Sequence, residues 1–316
     1  MYSTKVLKKL NRRNIKWKKL AFYTILMAIP VIQISLFYVY VNFSSFLMAF
    51  RNYSLTDEGM IYTYSWENFV NFQNGWAELV SDQTRLANTF IYFAFGLIIN
   101  IPLALLSSFY IYRKKHASGF FKVMLFMPQV LSSLVLAFIY KEILERGIPY
   151  WMGTLGQPGL LTNPNSAVWF VILFNLIMSF GVNVLIYSST MSGINESILE
   201  SSEIDGCGSF RQFVYVILPM IYPTIVSLII VFISAFFTNQ YNVFTLFSSG
   251  DGTPATTCVG HYLYVQNLKA TYYSIGQKST LTYPELAAVG LILTFIILPI
   301  SLFSRWALNK FGPRVD

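Results

Sequence analysis

Charged residues are missing from six long stretches of this chain, and that gap pattern limits its fold more than any other feature. The stretches are bounded by Lys19 and Arg51, Arg85 and Arg113, Lys122 and Lys141, Arg146 and Glu196, Arg211 and Asp251, and Glu285 and Arg305. A helix crossing a bilayer needs about 20 mostly apolar residues, and Asp, Lys or Arg at its centre costs about 2.5 to 3.5 kcal/mol on insertion scales. Each stretch is long enough, or nearly so, for one crossing. In the fourth, Gly153, Gly156, Pro158, Gly159, Asn163 and Pro164 are turn formers, which confines the span to Ala167–Met191. The fifth is expected over Phe213–Thr238.

The runs are continuously apolar, whereas a lipid-facing barrel strand alternates apolar and polar positions. They therefore read as helices. Only 11% of the residues are charged against 55% hydrophobic, and a soluble domain carries about 25% charged. Disorder, a fibrous repeat, a disulfide scaffold and an ordinary cytosolic enzyme are excluded. The expected fold is an all-α integral membrane bundle of six transmembrane helices. Pro102, Pro128, Pro219 and Pro299 fall within or near the ends of spans, where each removes an amide donor and kinks its helix.

Basic residues set the orientation. With both termini in the cytoplasm, 16 Lys and Arg lie inside and six outside, which is the asymmetry that bilayer insertion favours. Residues 1–19 then form a basic cytoplasmic segment, 20–310 the membrane domain and 311–316 a cytoplasmic tail. Cys207 and Cys258 fall on opposite sides and cannot pair. The outer loops carry Trp66, Trp76, Tyr262, Tyr264, Tyr272 and Tyr273, which suit either an interfacial aromatic belt or the docking of a soluble protein.

One inner loop departs from the charge rule. Between the fourth and fifth spans, Glu196, Glu200, Glu203 and Asp205 face a single Arg211. Glu196 and Glu200 are one helical turn apart, Gly206 and Gly208 interrupt, and Phe210, Phe213 and Val214 resume an apolar pattern. Two short helices about a glycine bend would make an exposed acidic knob, suited to a basic groove on a soluble partner. A solvated turn is the plainer reading of the same charges.

The segment Glu200–Pro219, ESSEIDGCGSFRQFVYVILP, resembles the EAA loop of importer permeases of the ATP-binding-cassette class, whose pattern is E-A-A, three residues, G, nine residues, I, one residue, L-P. Glu200 stands at the E, Ser201 and Ser202 replace the alanines, and Gly206 takes the G. Val216 replaces I, and Leu218 and Pro219 match. Looser matches are similar to the carbohydrate branch, the maltose and glycerol-phosphate permease relatives. These are Asn88 and Thr89 opening the second span, Phe126, Met127 and Pro128 in the third, Ile204, Asp205 and Gly206, and the run Gly250, Asp251, Gly252, Thr253 and Pro254.

The resemblance implies a type I importer architecture in a bacterial cell membrane, with residues 193–212 as a cytoplasmic coupling loop. It assigns coupling to Glu200, Ser201, Ser202, Asp205, Gly206, Leu218 and Pro219. It also implies a second permease subunit, two ATPase subunits that hold the ATP and Mg²⁺, and an extracellular solute-binding protein that delivers the sugar. The chain itself has no phosphate-binding G-x-x-x-x-G-K-[ST] loop and no Cys/His cluster, so it is read as a translocation subunit with no catalytic, cofactor or nucleic-acid site. For the cargo, Asn175, Ser179 and Asn183 recur every four residues along the fourth span and form one polar stripe. Phe237, Thr238, Asn239, Gln240, Tyr241 and Asn242 follow the fifth. The resemblance places Ser179, Phe237 and Gln240 at or near the sugar-lining positions and Asn183 one residue off, and the candidate sugar site is Ser179, Asn183, Phe237, Asn239, Gln240 and Tyr241. No Arg or Lys lies at mid-span, which favours a neutral or weakly charged carbohydrate. The other reading is a secondary transporter driven by an ion gradient, which would place ionisable groups within its spans.

Overall fold

The computed structural model describes residues 3–56, 59–64, 69–114, 116–153, 159–247, 255–272 and 281–313. The Gly250–Pro254 run, Trp66, Tyr273, Gly156 and Pro158 lie outside the described residues. Helix α1 is continuous through Ser3–Gln33, Ile34–Tyr40 and Val41–Met48, so the basic lead is helical from Ser3 and merges with the first span. A hairpin of β1 (Arg51–Thr56) and β2 (Gly59–Tyr64) follows, pairing Arg51 with Tyr64. Next come α2 (Val70–Ser81), α3 (Gln83–Tyr112), α4 (Ser118–Val130), α5 (Ser133–Trp151) and α6 (Pro164–Ser192). The remainder is α7 (Glu196–Ile204), α8 (Ser209–Ser234), α9 (Val243–Phe247), α10 (Val259–Tyr272) and α11 (Tyr283–Phe311). Among the described residues five helices, α1, α3, α6, α8 and α11, are each long and apolar enough to cross a membrane.

The third span differs from its sequence expectation. In place of one crossing from Lys122 to Lys141, α4 and α5 meet at 98°. Pro128 has no amide to continue the ladder, and three residues later Leu131 is extended (φ −82°, ψ 154°), as is Ser132 (φ −60°, ψ 125°) at the start of α5. α5 then continues past Lys141 to Trp151, and counted as one broken crossing the pair gives six in all. The fifth span also ends early, at Ser234, and Thr238 lies beyond the helix.

Prolines act through wide turns as well as breaks. π-helical stretches at Gly96–Asn100, Ile143–Gly147 and Phe213–Ile217 each end two residues before a proline: Pro102, Pro149 and Pro219. A proline ring cannot donate and crowds the carbonyl one turn back, and a locally widened helix accommodates both defects. α11 runs unbroken through Pro299.

Side-chain caps begin the helices that the turns feed. Asp82 accepts from Thr84 N, Asn163 from Asn165 N and Asn195 from Ser197 N, and Thr282 with Glu285 forms a capping box. At the bundle centre α3 and α6 run side by side. Ser108 Oγ donates to Ala104 O at 2.6 Å, and Val184 O lies 3.0 Å from the same hydroxyl. Tyr187, Phe213, Ile217 and Ile221 fill the space between α3, α6 and α8. α4 crosses α6 at Gly181, where a Cβ would stand 2.2 Å from Leu125 O, so only glycine permits that approach. α11 is tied to α8 by Tyr222 Oη, which donates to Leu308 O at 2.9 Å, and to α2 by Asn74 Nδ2, which donates to Glu285 at 3.0 Å.

The outward faces are apolar. Ile29, Phe37 and Phe295 are each more than 70% exposed, which is costly in water but natural where the solvent is lipid and every backbone group is satisfied within its helix.

Candidate functional site

The acidic knob is anchored to the bundle by a polar network. α7 ends at Ile204, Gly206 turns the chain with φ 77°, and α8 begins at Ser209. The expected second short helix is therefore the first turn of a 26-residue helix. Arg113, just past the end of α3, donates to Glu203 Oε1 at 2.8 Å, Gln212 Oε1 at 2.9 Å and Ser209 Oγ at 3.0 Å. Gln212 is fully buried and donates from Nε2 to Leu199 O at 3.0 Å and to Ser202 Oγ at 2.7 Å. One arginine and one glutamine thus fix the knob from beneath. Its outer side leaves Glu196, Glu200, Ser201, Asp205 and Gly206 exposed, beside the exposed apolar Ile204 and Phe210. Ser202 is turned inward, and Leu218 and Pro219 are half-buried in α8 just after its π-helical stretch.

A cavity of about 320 Å³ lies between α3, α6, α8 and the chain that follows α8, at the small end of the roughly 300–1,000 Å³ typical of small-molecule sites. The α6 stripe of Asn175, Ser179 and Asn183 faces it, as the period of four requires. Of the other candidates, Asn239 and Tyr241 line it. Phe237 packs instead against the cluster of Leu79, Val259, Val289 and Leu293, and Gln240 lies outside the lining. Asn100 of α3 and Tyr187 of α6 line the cavity too. Neither carries a strong sequence signal: Asn100 has no polar side chain one helical turn away in α3, and Tyr187 reads as an aromatic core residue. The signal for Tyr187 was present: it continues the i, i+4 series from Asn183.

The turn after α8 is built rather than loose. Tyr241 and Asn242 have φ of 49° and 54°, a region non-glycine residues rarely occupy. Asn175 holds them there: its Nδ2 donates to Tyr241 O and, at 2.9 Å, to Val171 O, while its Oδ1 accepts from Asn242 Nδ2 at 2.8 Å. Asn175 is therefore occupied structurally, although it borders the cavity. Asn239 Oδ1 accepts from Tyr241 N at 2.9 Å, and the Tyr241 ring rests 5.2 Å from that of Tyr92.

Asn88 and Thr89 seal the far end. Asn88 Nδ2 donates to Ala255 O and Thr257 O at 2.7 and 3.0 Å, Thr89 Oγ1 accepts from Val259 N at 3.0 Å, and Tyr92 Oη donates to Thr256 O at 2.9 Å. The two residues matched at the sequence level thus tie α3 to the segment leading into α10. Cys258 is buried there with Sγ 3.7 Å from both Asn239 O and Gln240 O, and burial pushes its thiol up to about 11. Neither cysteine is in a disulfide. Tyr262, expected on the outer surface, is buried under Arg85, whose guanidinium carbon lies 3.9 Å from the ring centre.

The family profile described as "Binding-protein-dependent transport system inner membrane component" matches residues 100–316, well over half of the chain and a region that includes the knob and all of the cavity lining except Tyr92, Phe95 and Gly96. The chain belongs to this family. It is thus a permease component of such a system, a transport subunit and a multi-pass membrane protein. This permease is 27% identical over 281 residues to the lactose transport system permease protein LacF of Rhizobium radiobacter, covering 85% of this chain and 90% of that one. Its fold is also that of a solved bacterial ABC transporter involved in the import of the acidic polysaccharide alginate. The TM-score is 0.74 at 20% identity, covering 95% of this chain and 99% of that one. A second structure, a bacterial alginate ABC transporter in complex with an alginate pentasaccharide-bound periplasmic protein, gives 0.70 at 19% identity with 94% and 96% coverage.

Proposed function

We infer that this permease is one translocation subunit of an ATP-driven importer in a bacterial inner membrane, and that its cargo is a neutral carbohydrate. The observation that carries the reading is the path of α8. That single 26-residue helix starts at the acidic knob and reaches the cavity with Val231 and Phe232. A push on the first turn of α8 is therefore delivered to the cavity wall along one continuous helix.

In this reading the knob end of the bundle is cytoplasmic, both termini lie inside as the 16 to 6 division of basic residues favours, and α4 with α5 makes one broken crossing. Residues 1–19 are the basic inner segment, 20–310 the permease domain with its coupling loop at 193–212, and 311–316 the tail. Glu196, Glu200 and Asp205 with Ile204 and Phe210 present an acidic and apolar face to the groove of one ATPase. ATP and Mg²⁺ belong to the two ATPases, a second permease completes the pathway, and a binding protein delivers cargo from outside. Helix rocking draws its free energy from contacts that differ between nucleotide states of the partners.

The cargo assignment rests on the lining, which has amides, hydroxyls and aromatic rings but no Asp, Glu, Lys, Arg or His among the described residues. An anionic sugar or a glycerol phosphate would call for a guanidinium or ammonium. LacF is by name a lactose permease, which agrees with a neutral sugar. An ion-driven carrier would need an ionisable relay, and the same lining offers none.

Reconstitution tests this. The complex in liposomes should take up a radiolabelled neutral oligosaccharide only with ATP and the binding protein, and Glu200→Lys should release the ATPases and abolish uptake. Uptake driven by an ion gradient with no ATPase present would overturn the assignment.

A further inference from the structure

Two buried polar atoms of residues that line the cavity, Asn100 Oδ1 and Tyr187 Oη, have no hydrogen-bond partner among the described residues. Asn100 is 7% exposed and Tyr187 0%. The Asn100 amide is assigned with its NH₂ toward Ser179. Ser179 spends its proton on Asn175 O at 2.8 Å, so its oxygen is an acceptor, and the Asn100 atom 2.7 Å from it is the NH₂ group. The carbonyl oxygen of Asn100 is what remains, an acceptor with nothing to accept.

Buried polar groups are almost always hydrogen-bonded, and the exceptions mark unfilled sites or functional ones. Tyr187 is the fourth member of the series Asn175, Ser179, Asn183, Tyr187, all on the cavity face of α6 and together about 18 Å long at about 1.5 Å per residue. Asn175 is committed to the turn after α8 and Ser179 to Asn100, whereas the orphan pair is hydrogen-bonding capacity that the described fold does not use. Asn100 closes the π-helical stretch that ends two residues before Pro102, and such wide turns recur at functional sites.

We propose that Asn100 Oδ1 and Tyr187 Oη are hydroxyl-recognising points for the cargo, which deepens the carbohydrate reading and rests on it. Asn100 Oδ1 demands a donor, which a sugar hydroxyl supplies and a carboxylate or phosphate oxygen does not. Tyr187 Oη donates to or accepts from a second hydroxyl. A sugar that satisfies both must be neutral where it meets them. An anion would face an uncompensated carbonyl oxygen, and an apolar group would leave both atoms unmet.

Tyr187→Phe removes only the orphan oxygen and keeps the packed ring. In liposomes holding the whole complex and its binding protein, uptake is measured with radiolabelled neutral di- and trisaccharides, an oligouronate of matching length, and monodeoxy analogues of the sugar that is transported. The expected result is a melting temperature for Tyr187→Phe at or above that of the wild type, a loss in kcat/KM of about tenfold or more, and one deoxy analogue whose own loss is not deepened by the substitution. Wild-type transport of neutral sugar together with an indifferent Tyr187→Phe, or losses that add for every analogue, would overturn the subsite alone, and equal transport of the oligouronate would overturn both the subsite and the neutrality of the cargo. Failure of the wild type to move any of these sugars would overturn the carbohydrate reading and the subsite with it.

Discussion

Arg113 Nη1 lies 2.8 Å from Glu203 Oε1, so the residue that follows α3 grips the penultimate residue of α7. The ion pair is the weaker part of this contact, because the Glu203 side chain is 51% exposed and exposed pairs contribute about 0–1 kcal/mol. The stronger part is the bond to Gln212, which is buried. Arg113→Ala leaves Gln212 Oε1 without a donor and should destabilise the knob by about 1–3 kcal/mol, whereas Glu203→Gln should cost less than about 1 kcal/mol. Arg113→Lys should rescue only partly, since an ammonium cannot reproduce the planar fork. Thermal denaturation in detergent measures the order. ATPase activity that no longer responds to cargo-loaded binding protein would mark the lost linkage between knob and bundle.

Gln212→Leu removes both donations, to Leu199 O and Ser202 Oγ, while keeping the volume. α7 should then detach from α8 locally, with spin labels on Ser201 becoming more mobile and the transmembrane helices unchanged. Equal mobility in wild type and variant would show that Gln212 does not hold the knob.

Gly181→Ala places a methyl against Leu125 O at a separation no real contact tolerates. α4 must move away, and a loss of about 1–3 kcal/mol is expected, the range for overpacking a well-filled interior. A disulfide engineered between α4 and α6 should form more slowly in the variant.

The two thiols should differ in reactivity. Cys207 sits partly exposed in the turn after α7, whereas Cys258 is buried with its thiol pushed up to about 11. Thiolate is the reactive species, so at pH 8 maleimide should modify Cys207 and leave Cys258 intact until the protein is denatured. Because the folded value lies above the ordinary thiol value of 9.0, the contribution of protonated Cys258 to stability is fully present below that value and is lost as pH rises from there through about 11. Mass spectrometry of labelled peptides distinguishes the sites.

Asn183→Ala should lower sugar uptake, and Gln240→Ala should have the smaller effect, because Asn183 lines the cavity and Gln240 does not. Assembly with the ATPases should survive both changes. Uptake that falls more with Gln240→Ala would place the cargo outside this cavity.

The sequence by itself determined the apolar spans, the acidic knob and the polar stripe of α6, because each depends on local properties. Charge is excluded from lipid wherever it occurs, a period of four puts Asn175, Ser179 and Asn183 on one face, and Gly206 reverses the chain through its own freedom at positive φ. The tertiary structure alone decided which residues share the cavity. Phe237 and Gln240 are two residues and one residue from Asn239, yet the left-handed turn held by Asn175 directs Asn239 and Tyr241 to the lining and leaves their neighbours outside it. Asn100 has no polar side chain one helical turn away in α3 and acquires meaning only from Ser179, 79 positions away. The reach of Arg113 to Glu203 is likewise set by packing between distant segments, where the energies depend on neighbours that a linear pattern does not name.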